Sequence, residues 1–131
     1  MLSPNVYLCG GINGLSDADA NGWRELAKRR LPRTLDPMRR DYRGREAANV
    51  NEIVHGDLDD IDQCDFVLAM CNRPSWGTAM EIFYAHSQGK RVLAVVEEYG
   101  ERRQVSPWLA YHSTVYPTLD AAIDAIEELC R

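Results

Sequence analysis

The chain predicts an α/β protein, a three-layer sandwich in which a parallel sheet of about five strands lies between helices. Three observations point there. Short apolar runs at Val6–Cys9, Phe66–Met70 and Arg91–Val96 have the length and composition of strands buried on both faces. The segments between them repeat apolar residues every three or four positions, as helices packed on a sheet do. Parallel strands need such crossovers, and the crossovers are right-handed. With 131 residues, no internal repeat and no interdomain linker, residues 1–131 are expected to form one domain with a sizeable core.

The first strand, Val6–Cys9, runs into Gly10-Gly11-Ile12-Asn13-Gly14. Ser16-x-x-Asp19 then reads as a capped start, and Ala20, Trp23, Leu26, Ala27 and Leu31 give helical spacing up to Pro32. Strand, glycine-rich turn and helix in succession open nucleotide-binding α/β units. Gly-Gly-x-x-Gly is neither a dinucleotide fingerprint nor a P-loop, so these glycines serve either a ligand or only the tight turn. Thr34–Asp36 is a brief strand candidate that ends at Asp36-Pro37, and residues 38–47 read as a charged loop containing Arg39, Arg40 and Arg43. A helix over Val50–Ile61 places Val50, Ile53, Val54, Leu58 and Ile61 on an inner face, with Asp57, Asp59 and Asp60 on the wet one. Asp57 stands apart because it precedes a core leucine and is placed to point along the sheet edge.

After Phe66–Met70 comes the stretch around which the chain is organised, Cys71-Asn72-Arg73-Pro74-Ser75-Trp76-Gly77-Thr78-Ala79-Met80-Glu81. Pro74 and Gly77 punctuate a turn, Thr78 or Ser75 caps a helix, and Gly89 closes it. Arg91–Val96 is the fourth strand, Glu97–Gln104 a polar loop and Ser113–Tyr116 the last strand. A final helix, capped by Thr118 or Asp120, turns Leu119, Ala122, Ile123, Ile126 and Leu129 inward. A flavodoxin-like or Rossmann-like strand order puts the first and third strands on either side of the switch point, where ligands bind. Tyr7 and the Gly10–Gly14 turn then lie beside Ser75–Glu81. Glu81 is expected in the first helical turn, where unpaired N–H groups and the helix dipole favour a carboxylate able to attack an electrophilic carbon. The same spacing, Thr78-x-x-Glu81, is also a capping box, in which the glutamate only folds back on the helix start.

Composition narrows the function classes. Apolar content of 45% and charged content of 27% are those of an ordinary soluble domain, and a net charge of −5 speaks against gripping a nucleic acid polymer. The four cysteines, Cys9, Cys64, Cys71 and Cys130, form no C-x-x-C pair and no zinc spacing with the histidines, so reduced thiols and no metal are expected. Met1–Asn5 lacks the charged region of a signal peptide, and no apolar run approaches the ~20 residues that span a bilayer, so a cytoplasmic protein without membrane contact is expected.

The blocks Val6-Tyr7-Leu8-Cys9-Gly10-Gly11-Ile12-Asn13-Gly14, Leu35-Asp36-Pro37-Met38-Arg39, Asp57-Leu58-x-x-Ile61-x-x-Cys64-Asp65, Pro74-Ser75-x-Gly77-Thr78-x-Met80-Glu81-Ile82 and Ser87-Gln88-Gly89-Lys90 follow one another in order. Together they resemble the nucleoside 2-deoxyribosyltransferase family over nearly the full chain. The resemblance implies a retaining reaction without cofactor: a glutamate attacks C1′ of a 2′-deoxynucleoside, the base leaves, and water or a second base resolves the ester. It places Glu81 as nucleophile, Asp57 as the acid/base that manages the leaving base, and Tyr7 as the group orienting the nucleophile. Asp36, Arg39, Gly77 and Thr78 fall among the implied substrate contacts. In transferases acting on free nucleosides an aspartate stands six residues before the nucleophile. Ser75 stands there instead, as in the related 2′-deoxynucleoside 5′-phosphate N-hydrolases, where a serine binds the phosphate. Gly10, Gly11, Ile12 and Asn13 would contact the same group, and Ser106 resembles the serine that reaches it from a neighbouring subunit. Asn13 replaces an arginine frequent in that subgroup, and Arg39, Arg40 or Arg43 is available to compensate. A homodimer or larger homo-oligomer is implied, with Trp108, Leu109 and Tyr111 serving either that contact or local packing. The reading that keeps no chemistry is a nucleotide-binding module in the same cleft.

Overall fold

Five parallel strands in the order β2-β1-β3-β4-β5 form the sheet of the computed structural model, which describes residues 4–130. Residues 1–3, part of the segment read for a signal peptide, lie outside the described residues. The strands are β1 (Val6–Gly10), β2 (Thr34–Leu35), β3 (Phe66–Met70), β4 (Arg91–Val95) and β5 (Thr114–Tyr116). The helices are α1 (Asp17–Arg30), α2 (Val50–Asp62), α3 (Trp76–Ser87), α4 (Pro107–His112) and α5 (Leu119–Leu129). This is the predicted flavodoxin-like sandwich.

Strand side chains alternate between faces, and the core divides accordingly. On one face Val6, Leu8, Leu68, Leu93 and Val95 pack against Ala27 of α1 and Ala122, Ile123 and Ile126 of α5. On the other, Tyr7, Cys9, Val67, Ala69 and Val92 pack against Ile61 of α2 and Ile82 and Ala85 of α3. The register Tyr7↔Val67 and Cys9↔Ala69 sets β1 directly against β3, so both strands end at the same edge. Two of the turn glycines have different reasons. A Cβ on Gly10 would come within 2.9 Å of the Trp23 ring, whereas Gly14 sits at φ 73, which L side chains rarely adopt.

Four expectations change. Residues 38–47 are not all loop, because Asp36 caps a single 3-10 turn at Pro37–Arg39 and another covers Glu46–Ala48. A fourth helix, α4, follows the polar loop, capped by Ser106 with Pro107 in its first turn. On α2 the inner stripe is rotated: Asp60 is 3% exposed and Ile61 is buried, while Val50 and Val54 are exposed. The cause is Arg39 and Arg40, which draw Asp60 inward with bonds of 2.7–2.8 Å. Leu129 on α5 is exposed as well, at the last turn of its helix. Among the described residues, no helix is long and apolar enough to cross a membrane.

Candidate active site at the sheet edge

Ser75 begins the site. Its hydroxyl accepts from Thr78 N at 3.3 Å, so α3 starts at Trp76. That choice of cap moves Glu81 into the second turn, beyond the unpaired N–H groups of the helix start. The capping-box reading fails with it: Thr78 Oγ1 is buried without a hydrogen-bond partner, and Glu81 bonds elsewhere. Tyr7 Oη donates to Glu81 Oε2, and Cys9 Sγ lies 3.8 Å from Oε1. Tyr7 and Cys9 are two apart on β1 and so share the face that meets α3.

The expected effect of the helix end on Glu81 is overturned. Burial first, then the negative charge of Asp57, pushes its carboxyl up to about 7, while Tyr7, Arg24 and Cys9 pull the other way. Asp57 is also raised, by burial, with Arg40 opposing. Burial and the neighbouring Glu81 charge keep Tyr7 and Cys9 protonated, so both remain donors. Arg24 is a cation with no exposed surface, sited at the end of β1. It donates to Ala20 O and to Gly10 O (3.1 Å), and its Nε stands 3.5 Å from Asp36 Oδ1.

The remaining candidates line two separate hollows. Ile12, Asn13 and Asp57 line a cavity of about 40 Å³, with Arg40 and Arg43 in its wall. Ser75, Thr78 and Ser106 line a groove of about 730 Å³ between α3 and α4. Glu81 does not line that groove; its carboxylate meets Tyr7 and Cys9 of β1 instead. A Cβ on Gly11 would make an ordinary 3.4 Å contact with Leu15, and one on Gly77 would meet nothing within 4 Å.

Two candidates are occupied by the fold. Asp36 accepts from Met38 N and pairs with Lys28 at 2.5 Å, and Arg39 is forked onto Asp60 at 2.7 and 2.8 Å. Arg43 is likewise held by Asp17 and Asp41. Sequence reasoning missed Cys9 as a neighbour of Glu81, although the i, i+2 spacing from Tyr7 was a signal. It also missed Arg24, which stands between Ala20 and Ala27 on the inner face of α1. Among the described residues no group of three or more His, Cys, Asp or Glu is placed to hold a metal.

Fold and site define an α/β protein with a part-buried, paired carboxylate held between β1 and α3. The sequence profile described as nucleoside 2-deoxyribosyltransferase matches residues 6–115, and the chain belongs to that family. No curated protein matches it. Among solved structures, a conserved protein from Enterococcus faecalis V583 superposes with a TM-score of 0.75 at 15% identity, covering 98% of this chain and 99% of that one. The Clostridium botulinum CMP N-glycosidase BcmB gives 0.63 at 16% identity, covering 94% and 98%. A 2-desoxiribosyltransferase from Leishmania mexicana gives 0.60 at 21% identity, covering 95% and 97%. At these identities the likeness carries the fold.

Proposed function

We propose that the chain cleaves the N-glycosidic bond of 2′-deoxynucleoside 5′-monophosphates through a glycosyl ester on Glu81. The observation that carries this is the Tyr7–Glu81 bond beside Asp57 at the sheet edge. Tyr7 fixes Oε2, and Oε1, beside which only the weak donor Cys9 Sγ stands, attacks C1′ as the bond to the base breaks. The electron pair goes to the base nitrogen, which takes a proton from Asp57; its raised pKa suits a carboxyl acting as acid. Water, losing a proton to Asp57, then attacks C1′ and returns Glu81 as carboxylate. Ser75 supports the monophosphate: its oxygen caps α3 while its O–H is left to donate to a phosphate that an aspartate there would repel. Gly10, Gly11, Ile12 and Asn13, where β1 ends and the turn begins, would add contacts to the same phosphate.

A second copy of the chain completes the reading. Trp76, Met80 and Phe83 on α3 and Trp108 and Tyr111 on α4 are 56–85% exposed and form one apolar face. Leu109 instead packs inward, so the Trp108–Tyr111 stretch serves both local packing and this face. A homodimer through it would bring the exposed Ser106 of one protomer toward the substrate of the other.

The test is incubation with deoxynucleosides and their monophosphates, with and without an acceptor base. Base release from monophosphates, lost in Glu81→Ala, is the expected result; no release from any substrate overturns the proposal. Exchange between bases without dependence on phosphate would instead assign the chain to the transferases.

A further inference from the structure

Gly56 lies in the middle of α2, where glycine is a poor helix former, and its backbone needs no left-handed conformation. What the position lacks is room. A Cβ there would stand 3.0 Å from Nε and 3.2 Å from Cζ and Nη2 of Arg40. The guanidinium thus lies flat on the helix backbone, in the space a side chain would take. From that seat Nη2 reaches Asp57 Oδ1 at 3.3 Å and Asp60 Oδ2 at 2.8 Å. Asp60 is in turn closed off by the fork from Arg39, so Arg40 is fixed from behind. Arg40 also lines the small cavity in which Asp57 meets Ile12 and Asn13.

We propose that Arg40, seated on Gly56, is a positioning residue that holds one oxygen of Asp57 and tunes how readily Asp57 gives up its proton. This deepens the glycosidase reading and rests on it. With Oδ1 tied to Arg40, Oδ2 is the oxygen left to face a leaving base. The other charges that bear on Asp57 come from several elements: Asp60 on α2, Arg24 on α1, and Glu81 on α3. Tyr7 and Cys9 on β1 stay neutral, while Arg43 and Glu46 line the same cavity. Arg40 is the cation in direct contact. Burial favours the protonated carboxyl and Arg40 opposes it, so the balance between acid and carboxylate is set at this pair.

The test compares wild type, Arg40→Met, Arg40→Lys and Gly56→Val by two readouts. One is the direct titration of Asp57 by carbon NMR of labelled aspartate, assigned with Asp57→Asn; the other is the pH profile of base release. Removing an opposite charge in contact raises a carboxyl pKa by about one unit or more. Arg40→Met should therefore move the Asp57 titration, and the basic limb of the profile, upward by about that amount. Arg40→Lys should restore part of the shift. Gly56→Val, a better helix former than glycine, should reproduce the direction with Arg40 still present. An Asp57 titration unchanged in both Arg40→Met and Gly56→Val overturns the proposal. The titration does not need turnover, so absence of base release in wild type would refute the glycosidase reading separately.

Discussion

Replacing Glu81 with glutamine should stabilise the protein, and more so as the pH rises. In the unfolded chain this carboxyl has its ordinary value of 4.5; in the fold, burial and Asp57 push it up to about 7. Below 4.5 both states hold the proton, and the fold carries no penalty. Between the two values the folded state keeps a proton that the unfolded chain has released, so stability falls as pH rises through this window. Above about 7 the full cost of an ionised, enclosed carboxylate is present. At about 1.4 kcal/mol per pH unit, the gap amounts to about 3.5 kcal/mol, most of it expressed between pH 4 and pH 8. Glutamine has no charge to bury, and its amide oxygen still accepts from Tyr7. The stability difference between Glu81→Gln and wild type should therefore grow by about 3 kcal/mol between pH 4 and pH 8, read by urea unfolding at each pH. For a domain of this size that is about 6–12 °C in melting temperature. A difference that stays flat with pH, or moves the other way, would refute a Glu81 carboxyl raised by its surroundings.

Four other outcomes are expected. Tyr7→Phe removes the donor on Oε2, so Glu81 should titrate higher still, with the acid limb of base release moving up and turnover falling about tenfold or more. Asp57→Asn removes a like charge, so Glu81 should titrate lower, visible in the same stability-against-pH curves, while base release drops. Arg39→Ala leaves buried Asp60 with Arg40 alone and should cost about 1–3 kcal/mol in denaturant unfolding, since Asp60 is held below its ordinary value by both arginines against the opposing effect of burial. Ser75→Asp preserves an N-cap oxygen and hence stability to within about 0.5 kcal/mol, but should weaken monophosphates far more than free nucleosides in competition assays.

The sheet was legible because buried parallel strands write themselves as apolar runs: Phe66–Met70 is the same segment in pattern and in structure. Helix starts were legible where a side chain makes the cap, as Ser16 and Thr118 do. The short α4 was not read, although Ser106-Pro107 is a start signal, because six residues hold too little periodicity. The site was half legible. Tyr7, Asp57 and Glu81 lie on β1, α2 and α3, elements that the topology must bring together. The environment of Glu81 was not, because the choice between Ser75 and Thr78 as cap decides whether it feels the helix end or the interior. Asp60 was misread for a related reason: a periodic pattern treats every aspartate as solvated, and only the fold supplies Arg39 and Arg40. Arg24 was hidden in the same way, its charge met by backbone carbonyls at the end of β1 and by Asp36.

The central claim is that Glu81 itself bonds to the sugar. Acid quenching of a reaction with a deoxynucleoside monophosphate, followed by peptide mass spectrometry, tests it directly. The account predicts a deoxyribosyl-phosphate adduct on the peptide containing Glu81, absent from the Glu81→Ala protein. Base release at full rate from Glu81→Ala, or an adduct on another residue, would contradict it.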